Sequence, residues 1–335
     1  KAFEKGEPLV PLLDGAGWSQ VPTDFMARFG PLIRGLMEAK EAGKKPSAAE
    51  RIALHETFSS ALKKPDQELP PDLKAIQEKL TTLDPTAFST PQDLKADLRA
   101  YQKTGAAWLD LRRQLQLGAL LADDMGLGKT LQTITVMQGK VLVVAPRSVL
   151  NNWQREIAHF RPGYKTSLYH GTGREFDDHA DVHLTTYGVL RLDLDKIRDR
   201  EWDLVVLDEA QAIKNPMSGV TKAAHRTPAK ARIALTGTPL ENSLEDLWSQ
   251  FEFLNPGLLG SRSFFQKFFV RPIMGGDQER LASLRRLTGP YILRRLKKDV
   301  AKDLPPRTDI ITHVELSEDE RALYQTLMQT SRQDV

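Results

Sequence analysis

Two short segments of this 335-residue chain carry residue types at spacings that can do chemistry. The first is Asp124-Met125-Gly126-Leu127-Gly128-Lys129-Thr130, which lies between a strand-like apolar run and a helix-like stretch. Glycines let backbone N–H groups turn toward an anion with no Cβ in the way. A helix that opens there adds its positive amino end. In that setting Lys129 reaches the β- and γ-phosphates of a nucleotide, and the Thr130 hydroxyl ligates Mg²⁺. The usual phosphate loop has glycine where this chain has Asp123, so the strict pattern fails at one position. A Gly-Lys-Thr alone is a weak signal.

The second segment supplies the partner. In Leu204-Val205-Val206-Leu207-Asp208-Glu209-Ala210-Gln211 an apolar strand delivers two carboxylates to its tip. Asp208 suits a metal held through water, because Mg²⁺ keeps most of its hydration shell. Glu209 suits the water that attacks a γ-phosphate, which it can orient and deprotonate. A solvated acidic pair after a core strand is common. Coupled to a phosphate loop it reads as half of a nucleoside-triphosphate site that uses Mg²⁺.

The elements around these motifs have a consistent texture. Strand-like runs are Gly118 to Ala122, Val141 to Ala145, Thr166 to Tyr169, Val182 to Thr185, Leu204 to Leu207 and Ile233 to Leu235. Near-continuous Val, Leu and Ile means strands covered on both faces, and their alternation with helices gives the α/β class. In such sheets ligands bind beyond the carboxyl ends of the strands, where both motifs fall. Residues 1–90 read differently, with scattered prolines and helix-like stretches Phe25 to Ala42 and Ser47 to Leu62, the latter opened by Ser47 and Glu50 as a capping box. After Leu240 the pattern is helical, over Ser243 to Leu254, Ser263 to Val270, Gln278 to Thr288 and Tyr291 to Ala301. Ile310 to Leu316 then reads as a strand and Glu318 to Gln329 as a helix.

Bulk composition narrows the classes further. There is no cysteine, which removes disulfides, thiolate metal sites and cysteine nucleophiles. The seven histidines lack metal-ligand spacing, and His159, His170, His179 and His183 read as surface or loop residues. Apolar runs are too short to span a bilayer, no leader opens the chain, and the expectation is a monomeric cytoplasmic protein. With 47 basic and 44 acidic residues the net charge is only +3, so a polyanion partner must be argued from local clusters.

Beyond the two ATP motifs, several blocks in order resemble the Snf-two (Swi/Snf-like) ATPases of helicase superfamily two, from about Asp97 onward. Leu98-Arg99-Ala100-Tyr101-Gln102-Lys103-Thr104-Gly105 with Trp108-Leu109 is similar to the family's adenine-reading block. It implies that Arg99 and Gln102 join Met125, Gly126, Leu127, Gly128, Lys129 and Thr130 in holding the nucleotide. A glutamine amide can pair with adenine N6 and N7 together. The family usually has proline at Ala100. Ala145-Pro146 with Ser148-Val149-Leu150-Asn151-Asn152-Trp153, and Thr185-Thr186-Tyr187, resemble loops that grip a DNA backbone through phosphate oxygens. Ser148, Asn152, Thr185 and Thr186 are the implied contacts, although an ordinary polar turn looks the same. Thr236-Gly237-Thr238-Pro239-Leu240-Glu241-Asn242 resembles the coupling loop, with Thr238 toward DNA. Gln211 stands where many relatives have histidine, which looks more like bacterial members and implies a nucleoid-associated protein. Its amide can bridge the acidic strand and the coupling loop, so Gln211 joins Lys129, Asp208 and Glu209 as catalytic, and Lys214 in the same tract is an implied DNA contact.

The discriminating blocks lie near the C-terminus. Phe253-Leu254-Asn255-Pro256-Gly257-Leu258-Leu259-Gly260, Phe264-Phe265, and Leu293-Arg294-Arg295-Leu296-Lys297-Lys298-Asp299-Val300 are similar to the family's helical insertion and its crossing into a second lobe. Arg285, Arg286, Arg294, Arg295, Lys297 and Lys298 form a cationic series with no acid between them. A solvated helix face and partial contact with DNA phosphate both stay open, Arg294 and Arg295 being the candidate contacts, and Arg295 can instead brace the lobe interface.

The resemblance implies a RecA-like P-loop lobe over residues 91–242, preceded by a helical accessory region over 1–90. A helical insertion follows over 243–306, and a second lobe begins over 307–335. It implies an ATP hydrolase that moves along double-stranded DNA and remodels what is bound there. Because the resemblance places an arginine finger in the second lobe, the chain as given is expected to bind ATP but hydrolyse it weakly. Two other readings stay open: a strand-separating helicase, and a nucleotide-gated module that docks through residues 1–90 on a partner such as RNA polymerase or a defence complex.

Overall fold

In the computed structural model the described residues are the strand residues 9–11 and 18–20 together with 71–81, 87–237, 244–300 and 317–333. The chain divides into two compact units, Lys1–Val300 and Ala301–Val335. In the second, the described element is one helix, Glu318–Gln333. Phe25 to Ala42, Ser47 to Leu62 with its capping box, and Ile310 to Leu316 lie outside the described residues. Within residues 1–90, read as helical, Leu9–Pro11 (β1) and Trp18–Gln20 (β2) form an antiparallel pair. Pro71–Thr81 (α1) is a helix.

The first unit is built on a seven-stranded sheet. In chain order its strands are Ala119–Leu121 (β3), Val141–Ala145 (β4), Thr166–Leu168 (β5), Val182–Thr186 (β6), Leu204–Asp208 (β7), Ala231–Leu235 (β8) and Ile292–Leu293 (β9). They lie in the order β5-β6-β4-β7-β8-β3-β9, and every pairing is parallel. Side chains alternate across this sheet as the strand period requires. Val141, Val143, Leu204, Val206 and Leu121 enter one core with Trp108, Ile134 and Trp153. Leu142, Val144, Val205, Leu207 and Leu120 enter the other with Tyr187, Trp202, Ala224 and Phe253. Burial of each such Leu or Val is worth about 1.5–3 kcal/mol before the cost of ordering it. Helices therefore cover both faces. Ala100–Gln114 (α2), Lys129–Val136 (α3) and Arg147–Phe160 (α4) lie on the first, and Tyr187–Leu192 (α5) and Gly219–Arg226 (α6) on the second. This is the RecA-like architecture.

After β8 the chain builds a separate aromatic core. Phe251, Phe264, Phe265, Phe268, Phe269 and Tyr291 cluster with Leu247, Leu258 and Leu284, and Leu80 of α1 packs into the same group. Leu244–Leu254 (α7) and Gln278–Thr288 (α8) frame it, with a wide π-type turn at Gln266–Val270 between them.

Two sequence expectations are corrected here. Tyr291 to Ala301 is not one helix: Gly289–Tyr291 is a tight turn, Ile292–Leu293 is the edge strand β9, and only Lys297–Val300 is helical. The open backbone of β3 captures this segment, since Ala122 N–H donates to the Leu293 carbonyl at 2.7 Å and Asp124 N–H to that of Arg295 at 3.0 Å. Buried Arg112 holds the turn, donating to the Pro290 carbonyl at 2.7 and 3.1 Å. His183 is not a surface residue. It lies on β6 with 1% exposure and shares an edge-to-face contact with Trp202.

Candidate active site

Register brings the two chemical motifs together. Leu121 of β3 pairs with Leu235 of β8, and Leu235 pairs with Asp208 of β7, so the three residues form one row at the carboxyl edge. At about 4.8 Å per strand the phosphate loop after β3 and the acidic pair after β7 start within about 10 Å of each other. The loop after β8 starts between them at Thr236, whose N–H donates to the Leu121 carbonyl at 3.2 Å.

The phosphate loop needs its glycines. Gly126 and Gly128 have φ of +84° and +75°, a left-handed backbone that disfavours other residues. A Cβ on Gly128 would also lie 2.6 Å from Gln102 Nε2. Lys129 opens α3 and donates to the carbonyls of Asp123 at 2.7 Å and Asp124 at 3.4 Å. Burial lowers its pKa, while Glu209, Asp123, Asp208 and Asp124 act to keep it charged. Thr130 lies half-buried in the same first turn. Leu127 is buried and Met125 is 73% exposed at the lip of the site. Gln102 is buried, donates to the Leu127 carbonyl at 3.4 Å and accepts from the Arg99 N–H at 3.0 Å. Its amide is thus set against the loop, with Arg99 exposed beside it.

The acidic pair is held from two other blocks. Asp208 Oδ2 accepts from the Trp153 indole at 2.8 Å, its Oδ1 accepts from Glu209 N–H at 2.9 Å, and its carbonyl accepts from the Tyr187 hydroxyl at 2.7 Å. Burial pushes the Asp208 carboxyl above the usual range, the Trp153 hydrogen bond opposes this, and the Glu209 charge adds to it. Such a carboxylate gains from a nearby cation, so Asp208 with the Thr130 hydroxyl fits a hydrated Mg²⁺. Glu209 has φ of +51°, left-handed for a residue with a Cβ. Strain of that kind costs on the order of 1–3 kcal/mol and recurs at functional sites. Gln211 donates to Glu209 Oε2 at 2.8 Å and accepts from the Thr236 hydroxyl at 3.1 Å. Its amide therefore bridges the residue after β7 and the start of the loop after β8.

The residues read as DNA contacts separate into two groups. Ser148, Asn152, Lys214 and Arg294 are exposed. Thr185 is fully buried and donates to the Tyr169 carbonyl at 2.9 Å, while Thr186 caps α5 by accepting from the Val189 N–H at 3.3 Å. Arg295 is turned inward to Asp123 rather than outward. In this arrangement those three side chains make intramolecular bonds, and for Arg295 the contact is the bracing alternative rather than an outward-facing cation. Thr238 lies outside the described residues. Sequence reasoning missed Trp153 and Tyr187 as supports of Asp208, and Thr236 as the partner of Gln211. A buried indole or phenol needs an acceptor, which was the available signal.

The chain is similar to known proteins at the level of this whole lobe. The family profile of the SNF2-related domain matches residues 101–335. The helicase/translocase-type protein YwqA of Bacillus subtilis is 38% identical over 318 residues, covering 89% of this chain and 34% of YwqA. The TATA-binding protein-associated factor mot1 of Schizosaccharomyces pombe is 35% identical over 288 residues, covering 75% of this chain and 15% of mot1. Among solved structures, the Sulfolobus solfataricus SWI2/SNF2 ATPase core in complex with dsDNA superposes with a TM-score of 0.62. It shares 44% identity over 65% of this chain and 49% of that one. The chain spans about a third or less of these curated relatives. It belongs to the SNF2-related family.

Proposed function

We propose that this chain is the nucleotide-binding lobe of an ATP-driven translocase that moves along double-stranded DNA and remodels what is bound to it. The observation that carries this reading is the Leu121–Leu235–Asp208 row, which starts the phosphate loop, the coupling loop and the acidic pair side by side. Lys129 takes the β- and γ-phosphate charge, and the loop amides around Gly126 and Gly128 wrap the rest. Mg²⁺ held by Thr130 and Asp208 would neutralise charge building on the phosphate oxygens. Glu209 orients the attacking water and accepts its proton. Gln211 then relates the state of Glu209 to Thr236, the first residue of the coupling loop. Double-stranded DNA is the favoured track because the superposing archaeal core was solved with it. Ser148, Asn152, Lys214 and Arg294 are the proposed phosphate contacts, which position without reading sequence.

A triplex-displacement assay with the intact protein tests this. ATP-dependent displacement that is abolished in Glu209→Gln, with DNA binding retained, is the expected result. ATP turnover without displacement on duplex, but with unwinding of a fork, would instead make it a strand-separating helicase.

A further inference from the structure

The residue that breaks the phosphate-loop pattern is the best-held side chain in the site. Asp123 is completely buried. Its carboxylate accepts from Arg295 at three points: Oδ1 from the backbone N–H at 3.1 Å and from Nε at 3.0 Å, and Oδ2 from Nη2 at 2.5 Å. The same guanidinium donates to Gln132 Oε1 at 2.7 Å and to the Tyr101 carbonyl. Gln132, also fully buried, donates to the Leu127 carbonyl at 3.2 Å and the Gly128 carbonyl at 3.3 Å. Space for this network exists because residue 105 is glycine: a Cβ there would run into Gln132 Oε1 and lie 2.6 Å from Arg295 Nη2.

We propose that Arg295 is a positioning residue for the triphosphate grip, acting through Asp123 and Gln132 on the phosphate loop. A carboxylate with no exposure must have a counter-charge, and removing one partner of a buried pair leaves the other uncompensated. Asp123 is also where Lys129 rests, on the adjacent carbonyl at 2.7 Å. A shift of Asp123 therefore moves the lysine, and a shift of Gln132 moves the carbonyls at Leu127 and Gly128. Arg295 arrives on the backbone that follows β9, and Lys297 N–H adds a bond to Asp124 Oδ2 at 2.8 Å. Nucleotide grip is thereby made to depend on the segment through which the chain leaves this unit at Val300. A glycine at position 123 could make no such link, which accounts for the departure from the usual pattern.

This rests on the nucleotide reading above, and the test separates the two. ATP binding is measured by calorimetry with Mg²⁺ for the wild-type chain, Arg295→Gln, Arg295→Lys, the Asp123→Asn/Arg295→Gln double variant, and Arg174→Gln as a control. Arg174 pairs with Asp193 at 2.7 Å beyond β5, and its loss reports on a structural ion pair elsewhere in the lobe. Arg295→Gln is expected to weaken ATP about tenfold or more, as small misplacements of binding groups do. Arg295→Lys should be intermediate, and the neutral double variant should recover part of the loss. Arg174→Gln should lower the melting temperature and leave ATP affinity within about twofold. If Arg295→Gln does not fold, the lysine and double variants carry the comparison. ATP affinity unchanged in all folded Arg295 variants overturns the inference alone. A wild-type chain that binds no ATP overturns the function reading, and this inference with it.

Discussion

The cleft and the outward-facing surface of this lobe are built differently. In the cleft each chemical side chain is fixed by neighbours: Asp208 by Trp153 and its own following N–H, Glu209 by Gln211, Asp123 by Arg295. On the outward surface, Ser148 of α4, Lys214 and Arg294 are exposed, and Asn152, also on α4 rather than on the expected loop, bonds locally to Glu156 and Arg155. The difference teaches where preorganisation is invested. Charge handling at a phosphate needs groups held before the substrate arrives, whereas backbone contacts with DNA tolerate adaptable side chains.

The largest effect belongs to Glu209→Gln, which keeps the bond geometry to Gln211 but cannot take a proton. In the intact protein kcat should fall by about 10³ with ATP affinity kept within a few-fold, read by steady-state and binding assays. Loss of affinity equal to the loss of kcat would place Glu209 in binding rather than proton transfer. Next, Trp153→Phe keeps the aromatic volume and removes the donor to Asp208, so the Mg²⁺ dependence of nucleotide binding should shift by about tenfold. An unchanged Mg²⁺ profile would mean that Asp208 needs no help from α4.

On the outward loops, Lys214→Ala with Arg294→Ala should weaken duplex binding roughly tenfold and flatten its salt dependence. Thr185→Val should leave DNA affinity alone and cost about 1 kcal/mol of stability by denaturant unfolding. The reverse pattern would show that β6, not the exposed cations, meets the phosphate backbone. A pH-dependent effect concerns His183 on that same strand. Burial lowers its pKa from 6.5 to about 4, so the unfolded chain binds a proton that the folded chain refuses. Stability from this group is whole above pH 6.5 and falls as pH drops toward 4, by about 2 kcal/mol at pH 5. His225, lowered by burial as well, acts with the same sign. His183→Gln should therefore flatten the urea midpoint between pH 7 and 5, while a surface histidine would leave it unchanged.

Legibility followed the same division. The six longer strands, the phosphate loop and Asp208-Glu209 could be read because period, glycine placement and carboxylate pairing are local properties. The bridge made by Gln211 was legible through the resemblance, which places an amide-capable residue between the acidic strand and the next loop. Strand β9 was not: two residues after Gly289-Pro290 carry no period, and the open edge of β3 decides their conformation. Nor was the fate of Thr185 and Arg295, because a hydroxyl or guanidinium written on the chain does not say whether it faces a phosphate or a buried carbonyl. Asp123 announced itself as an anomaly, and its partner lies 172 residues away.

The central claim is that Lys129, Asp208 and Glu209 together receive a magnesium-bound adenine nucleotide. Calorimetric titration of the chain with ATP, with and without Mg²⁺, tests it most directly. The expected result is saturable binding that needs Mg²⁺ and weakens by about 10² or more in Lys129→Ala. Binding that is equally tight in Lys129→Ala, or no heat of binding at all, would contradict the account.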